Sequence, residues 1–361
     1  MQKGIPSKLR NVLKCSCFSI LSLLVAGPVA VAGGLEVGIS SSSILFQPGR
    51  YAEFNGARAL PRVDGVLGPI SIPNLGGDLT FLSGGIKSNI GKRFDVAFRV
   101  REPIQLDVNY PINPALGGLS NLQAELSGVS YQLLGRYRAT KAFSVFGGPR
   151  FQTATGRFLF GPGETNLQRD GAFGFTAGAA YENRKKRFRS VLTYQSEINH
   201  QNATVSDLPG VTTVSQSTPR SIALSVRGPI APKTIAFGRL QWSHSSKANL
   251  SIDNTVTGVV AQSSFRNTIN ITAGMSRRVT KRLGLSISGS YQNGNGEPAG
   301  NIFPTNGRTS VEIGGRFAAS KKLSFSAAFS HIWIGDAVAI SGAQFEDNSS
   351  LLFRSGASIR F

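Results

Sequence analysis

Two cysteines, two methionines, two tryptophans and three histidines are all that this chain of 361 residues holds of those types. Both cysteines, Cys15 and Cys17, fall within the first 32 residues, so a chain cleaved after Ala32 has no thiol, no disulfide and no Cys-ligated metal. Acidic residues are scarce as well, 19 Asp and Glu against 39 Lys and Arg, giving a formal charge of +20. Beyond the N-terminal segment no run approaches the roughly 18 apolar residues of a membrane helix, which excludes a helical membrane protein. His200, His244 and His331 are far apart with no second ligand at metal spacing. No Gly-x-Ser-x-Gly elbow is present, and Gly294-Asn295-Gly296 lacks the third glycine of a dinucleotide loop. The reading is a non-enzyme without metal or cofactor.

What is present begins with a leader. Lys3, Lys8, Arg10 and Lys14 precede an apolar stretch from Cys15 to Val31, and Ala30-Val31-Ala32 stands before Gly33. That order of basic, apolar and small residues reads as a signal peptide over 1–32. Without the leader's four cations, which no leader acid offsets, the formal charge is +16. The cations are scattered over short turns such as Gly91-Lys92-Arg93, Thr140-Lys141, Arg184-Lys185-Lys186, Pro232-Lys233, Thr280-Lys281 and Lys321-Lys322. No basic helix, zinc site or aromatic-basic motif accompanies them, which argues against nucleic acid and leaves solvated turns beside anionic lipid headgroups.

The far end of the chain carries the membrane signal. Phe353, Ser355, Ala357, Ile359 and Phe361 alternate with Arg354, Gly356, Ser358 and Arg360, a strand with one apolar face and a terminal aromatic. Similar alternation places strands near 50–63, 78–90, 93–104, 122–139, 142–160, 171–183, 187–201, 217–228, 234–249, 265–279, 282–293, 306–318, 323–335 and 350–361. Fourteen is an even number, and about 330 residues suit one closed barrel. The basic turns lie between pairs of strands at one end, with longer loops rich in Gly, Asn and Pro at the other. That asymmetry is the one a bacterial outer-membrane barrel shows, its short turns periplasmic. Phe94, Val96, Phe98 and Val100 would face lipid, and Asp95, Arg99 and Arg101 the lumen, because a charge at the bilayer midplane costs roughly 2–4 kcal/mol. Tyr51, Tyr110, Tyr131, Tyr291, Trp242 and Trp333 are placed in the interfacial aromatic girdles.

Several stretches resemble one family. Ser41-Ser42-Ser43-Ile44-Leu45-Phe46, then Gly49-Arg50-Tyr51-Ala52-Glu53-Phe54 and Pro61-Arg62-Val63-Asp64-Gly65, are similar to the start of the FadL-like long-chain fatty-acid transporters, particularly their shorter alphaproteobacterial relatives. Val108-Asn109-Tyr110-Pro111, Leu134-Gly135-Arg136-Tyr137, Phe143 to Gly148, Ala177 to Glu182 and Phe345 to Ser349 extend the resemblance over nearly the whole mature chain. It implies a barrel over 50–361 of the Gram-negative outer membrane, with a hatch over 33–49 and passive passage of lipophiles such as long-chain fatty acids or aromatic hydrocarbons. It also implies capture by outer loops and release sideways beside a kinked third strand, here interrupted by Glu102-Pro103. Proline removes a ladder donor, which gives a gap in the wall a physical cause. The Asn-Pro-Ala that many members carry in the hatch is missing, and Gln47-Pro48-Gly49 is the nearest proline.

A fatty acid requires an apolar channel for its tail and a cation for its carboxylate. Arg99, Arg101, Arg136, Arg138 and Arg150 are the cationic candidates, with Leu45, Phe46, Leu134 and Phe146 as apolar wall. Asp95 and Glu102 could equally neutralise two of these arginines. Expected partners are the lipophile, outer-membrane lipids and lipopolysaccharide, and the barrel-assembly machinery through Phe361, with the chain a monomer. The alternatives are a diffusion porin and, at a distance, an outer-membrane lipid hydrolase built on Ser243-His244-Ser245.

Overall fold

The computed structural model describes residues 42–160, 163–244, 249–256, 258–264, 267–294 and 298–361. The expected signal peptide, residues 33–41 of the expected hatch, and Ser245 lie outside the described residues. Fourteen strands form a closed antiparallel barrel in which every strand pairs with its neighbours in chain order. They are β1 (Tyr51–Arg62), β2 (Leu79–Ile90), β3 (Phe94–Asn109), β4 (Gln123–Tyr137), β5 (Phe143–Phe160), β6 (Gly163–Asn183) and β7 (Phe188–Gln195). The circuit continues with β8 (Arg220–Ala231), β9 (Thr234–His244), β10 (Thr268–Arg278), β11 (Leu283–Gln292), β12 (Arg308–Ala318), β13 (Leu323–Ile334) and β14 (Ser349–Arg360). β14 closes on β1, with Tyr51 opposite Arg360 and Arg62 opposite Ser349. Closure gives every strand a paired neighbour on both sides, the arrangement that a backbone in lipid requires.

Alternation sorts the side chains as the sequence suggests. In β10, Thr268, Asn270, Thr272 and Ser276 are buried in the lumen while Ile269, Ile271 and Met275 are exposed on the outer face. In β3, Phe94 and Phe98 point out and Asp95 and Ala97 point in. A contiguous exposed apolar belt of this kind is stable only against lipid. No helix of the described residues is long and apolar enough to cross a membrane; the chain crosses with strands.

Two of the aromatics assigned to the girdles lie elsewhere. Tyr51 is buried, and its hydroxyl donates to Glu53 Oε2 at 3.0 Å. Tyr110 is buried beneath the outer loops and donates to the carbonyl of Asn301 at 2.8 Å. A tyrosine at a strand end can seat its ring inside once its hydroxyl has an acceptor there. Tyr131, Tyr291, Trp242 and Trp333 are exposed on the outer face.

The long connections fold over one mouth rather than standing in solvent. Residues 198–202, 212–218, 249–254 and 258–264 form one four-stranded sheet there, and 65–67, 70–72, 337–338 and 344–345 form another. Beneath them Ile72, Leu75, Leu106, Tyr110, Leu116 and Phe345 belong to a buried apolar cluster. The strand expected over 187–201 is therefore two: β7 ends at Gln195, and Ile198–Asn202 leaves the wall to pair with Thr212–Thr218.

Candidate functional site

A 3-10 turn, Ser43–Phe46, precedes β1 and lies inside the barrel near the short-turn end. Ile44 and Leu45 are fully buried in a cluster with Tyr51, Ala97, Leu134, Phe146, Ala180 and Val191. Gly85 makes room for it, since a Cβ there would stand 2.7 Å from Ile44 Cδ1. Phe46 meets Phe146 edge to face at 6.0 Å between centroids, and the guanidinium groups of Arg136 and Arg189 sit 4.3 and 4.5 Å from its ring centre. Arg136 also donates to the Leu45 carbonyl at 3.3 Å and to Ser144 Oγ at 2.9 Å, and it pairs with Glu182. Five of the sequence candidates, Leu45, Phe46, Leu134, Arg136 and Phe146, thus converge on one another around this turn.

Charge inside the wall is arranged around Asp95. Its carboxylate is fully buried and lies 3.0 Å from Lys87 Nζ, with Arg138 and Asn89 also on it and Arg136 at 3.8 Å. Lys87 in turn donates to the carbonyls of Gln47 and Gly49, both at 3.0 Å, tying the segment before β1 to β2. Arg138 is therefore a structural partner of Asp95. Arg101 and Arg150 lie further along the lumen, where they face each other and Arg239. Arg150 donates to the Ser196 carbonyl at 3.0 Å. Arg99 lines the lumen on β3, its Cγ 3.0 Å from where a Cβ on Gly85 would stand.

The wall itself changes between β2 and β3. From Ile90–Phe94 to Ser83–Arg101 the two strands pair without interruption. They meet again at Gly76 and Val108, in the same register. Between these points lie six residues on each side, 77–82 and 102–107, and among the described residues Gly77 N to the Asp107 carbonyl, 3.1 Å, is the backbone bond that crosses. At about 3.3 Å per residue the interval is roughly 20 Å long. The strands are splayed, not slipped.

The cause lies in β3. The expected strand 93–104 continues to Asn109, but its pairing with β4 shifts between Arg101 and Ile104, where Glu102-Pro103 forms a bulge. The bulge reverses the inward set, from Asp95 and Ala97 before it to Ile104, Leu106 and Val108 after it. An extra residue bends a strand, and Pro103 brings no N–H to offer β2. Glu102 Oε2 accepts the Leu82 N–H at 2.7 Å and the Gln105 side-chain amide at 3.4 Å.

Behind this interval is a small cavity of about 70 Å³, partly open to solvent. Leu79, Leu106 and Val108 from its edges, Leu75 from the loop before β2, and Ile302 and Phe303 from the loop before β12 make its walls apolar. Asp107 and Arg308 are the charged groups of the lining. Gly77 lets the Asp107 carboxylate fold across it, since a Cβ there would lie 2.0 Å from Oδ2. Sequence periodicity could not reveal this chamber, whose residues come from positions 59 to 350. The one visible trace was Glu102-Pro103.

No family model and no curated protein matches the chain. Solved structures do. A FadL homologue of Pseudomonas aeruginosa superposes with a TM-score of 0.70 over 89% of this chain and 92% of its own, at 13% identity. The Pseudomonas putida toluene transporter TodX gives 0.67 over 92% and 97%, at 10% identity. The Ralstonia pickettii toluene transporter TbuX gives 0.63 over 97% and 100%, at 13% identity. The chain is a transmembrane β-barrel, and its fold is that of the FadL-like outer-membrane transporters.

Proposed function

We propose that this barrel passes hydrophobic molecules across the outer membrane without an energy source, taking them into the cavity behind the β2–β3 interval and releasing them sideways through it. The observation that carries the reading is the coincidence of an apolar chamber with a stretch of wall lacking strand pairing. An apolar guest gains by leaving water for Leu79, Leu106, Val108 and Phe303, at about 25 cal/mol per Å² buried. The exit borders Leu82 on the lipid side, so the guest need not return to water. Beneath the chamber, guanidinium groups and the Ser43–Phe46 turn oppose an apolar path along the axis.

The first substrate reading is a long-chain fatty acid, its tail threading through the apolar lining on the way to the opening and its carboxylate toward Arg308 as a charge-assisted pair. Monoaromatic hydrocarbons are the second reading, because two of the similar structures are described as toluene transporters. Gly33 to Gly49 would act as the hatch in either case. Uptake of radiolabelled oleate and toluene by cells expressing the full chain, beside cells whose chain carries Leu79→Trp, tests the proposal. Saturable uptake of either compound that Leu79→Trp suppresses supports it. Equal uptake by both strains, with small sugars leaking through both, would favour a porin.

A further inference from the structure

All six short turns, at 91–93, 138–142, 184–187, 232–233, 279–282 and 319–322, expose at least one Lys or Arg, and none contains an Asp or Glu. Arg50, beside the last strand, adds another exposed cation to the same rim. Asp64, Asp78, Asp207, Asp336, Glu346 and Asp347 lie instead in the connections at the opposite mouth. The molecule is polarised along its axis.

The cations are held, not merely tolerated. Three of the turns share one device: Thr140, Thr280 and Ser320 each accept two backbone N–H groups, from residues two and three further on, at 2.9 to 3.1 Å. A hydroxyl that closes a turn in this way fixes its tip. The residue at the tip is Lys141, Lys281 or Lys321. Arg187 and Lys233 adopt φ of 57° and 64°, a left-handed conformation that glycine takes with less strain. A long cationic side chain thus stands where glycine would be the easier choice.

Exposed apolar side chains flank the turns on the outer face: Ile90 and Phe94 beside 91–93, Phe143 beside 138–142, Ile230 beside 232–233, and Val279 within 279–282. The acyl chains against that belt put their headgroups at the level of the ring. We infer that the short-turn rim is a binding surface for anionic phospholipid headgroups of the leaflet in which it sits, the turn lysines contacting lipid phosphates. This surface is separate from the chamber and holds whatever the barrel transports.

The test uses the full chain reconstituted in vesicles of phosphatidylethanolamine and phosphatidylglycerol, then extracted gently, with the retained lipids measured by mass spectrometry. Phosphatidylglycerol should be enriched at least about threefold over the starting mixture, and less so at high salt, where exposed charges are screened. Lys141→Gln, Lys281→Gln, Lys321→Gln and Lys322→Gln together should lower the enrichment substantially, the cations of the other three turns holding the remainder, with heat-modifiable migration showing a folded barrel. The pair Lys321→Gln and Lys322→Gln serves if the fourfold variant fails to fold, and should lower the enrichment in part. Arg62→Gln, Arg169→Gln and Arg220→Gln, at the other mouth, should leave it unchanged. An unenriched wild type, a turn variant that keeps the enrichment, or equal loss from both variants overturns the inference. So does binding of soluble polyphosphate by a wild type that retains the two lipids in their starting ratio, since the rim would then serve a polyanionic polymer.

Discussion

Glu102 reaches from the bulge in β3 to the backbone N–H of Leu82 on β2, 2.7 Å away, across the interval where the two strands have parted. A carboxylate thereby takes the place of a strand carbonyl, and the gap is kept open with one of its donors satisfied. Glu102→Ala should lower stability by about 1.5 kcal/mol, the usual worth of a hydrogen bond to a charged acceptor. Glu102→Gln keeps an acceptor oxygen and should cost less. Thermal unfolding in detergent gives the ranking, and faster hydrogen exchange at Leu82 in the alanine variant alone identifies the cause.

The chamber makes a second prediction about chemistry rather than stability. Arg308→Gln should reduce oleate uptake by roughly tenfold, a loss within the range of one charge-assisted hydrogen bond, and leave toluene uptake unchanged. Leu79→Trp, which fills space common to both guests, should reduce both. Equal effects of Arg308→Gln on the two compounds would remove Arg308 from substrate recognition.

Asp95 should be the costliest single site in the wall. Asp95→Asn leaves Lys87, Arg136 and Arg138 without the carboxylate they surround, and a buried ion pair broken on one side typically loses about 3–5 kcal/mol. Urea unfolding should show that loss. Because Lys87 also holds the carbonyls of Gln47 and Gly49, proteolysis just before β1 should accelerate in the variant.

Acid should loosen the outer sheet. His200, in the strand Ile198–Asn202, is buried, and burial holds its pKa below the ordinary histidine range although Nδ1 lies 3.0 Å from Asp170; Arg150 opposes its protonation as well. A depressed value means that the unfolded segment takes up the proton first. The stabilisation is whole above the ordinary histidine pKa and is lost as pH falls through the lower, folded one. Hydrogen exchange over 198–202 and 212–218 should quicken as pH falls below 6, after correction for the intrinsic rate, and His200→Gln should flatten the response.

The barrel was legible in the sequence because period-two alternation is local. Fourteen segments were visible, and in β3 the lipid and lumen faces followed from where Arg and Asp stood. What alternation cannot report is whether a strand stays in its sheet. Residues 196–202 continue the pattern of β7, yet 198–202 pair with an outer loop. Nor does it say what a lumen arginine touches. Arg136, Arg138 and Arg150 look alike in sequence, but one holds the turn before β1, one meets Asp95, and one reaches the Ser196 carbonyl. The chamber was illegible for a further reason: Leu79, Val108 and Phe303 become neighbours only once the loops have folded over the mouth.

The joining of β14 to β1 sets the order of assembly. These strands pair over twelve residues each, yet nearly the whole described chain separates Tyr51 from its partner Arg360. Every other wall contact can form between successive hairpins as they emerge. This one cannot exist until the last strand has been made, and until then two bare edges face outward. The unfinished sheet must be kept from sticking to its own kind for the time it takes to complete the circle, so the final seam governs how fast the protein matures and how much of it is lost on the way.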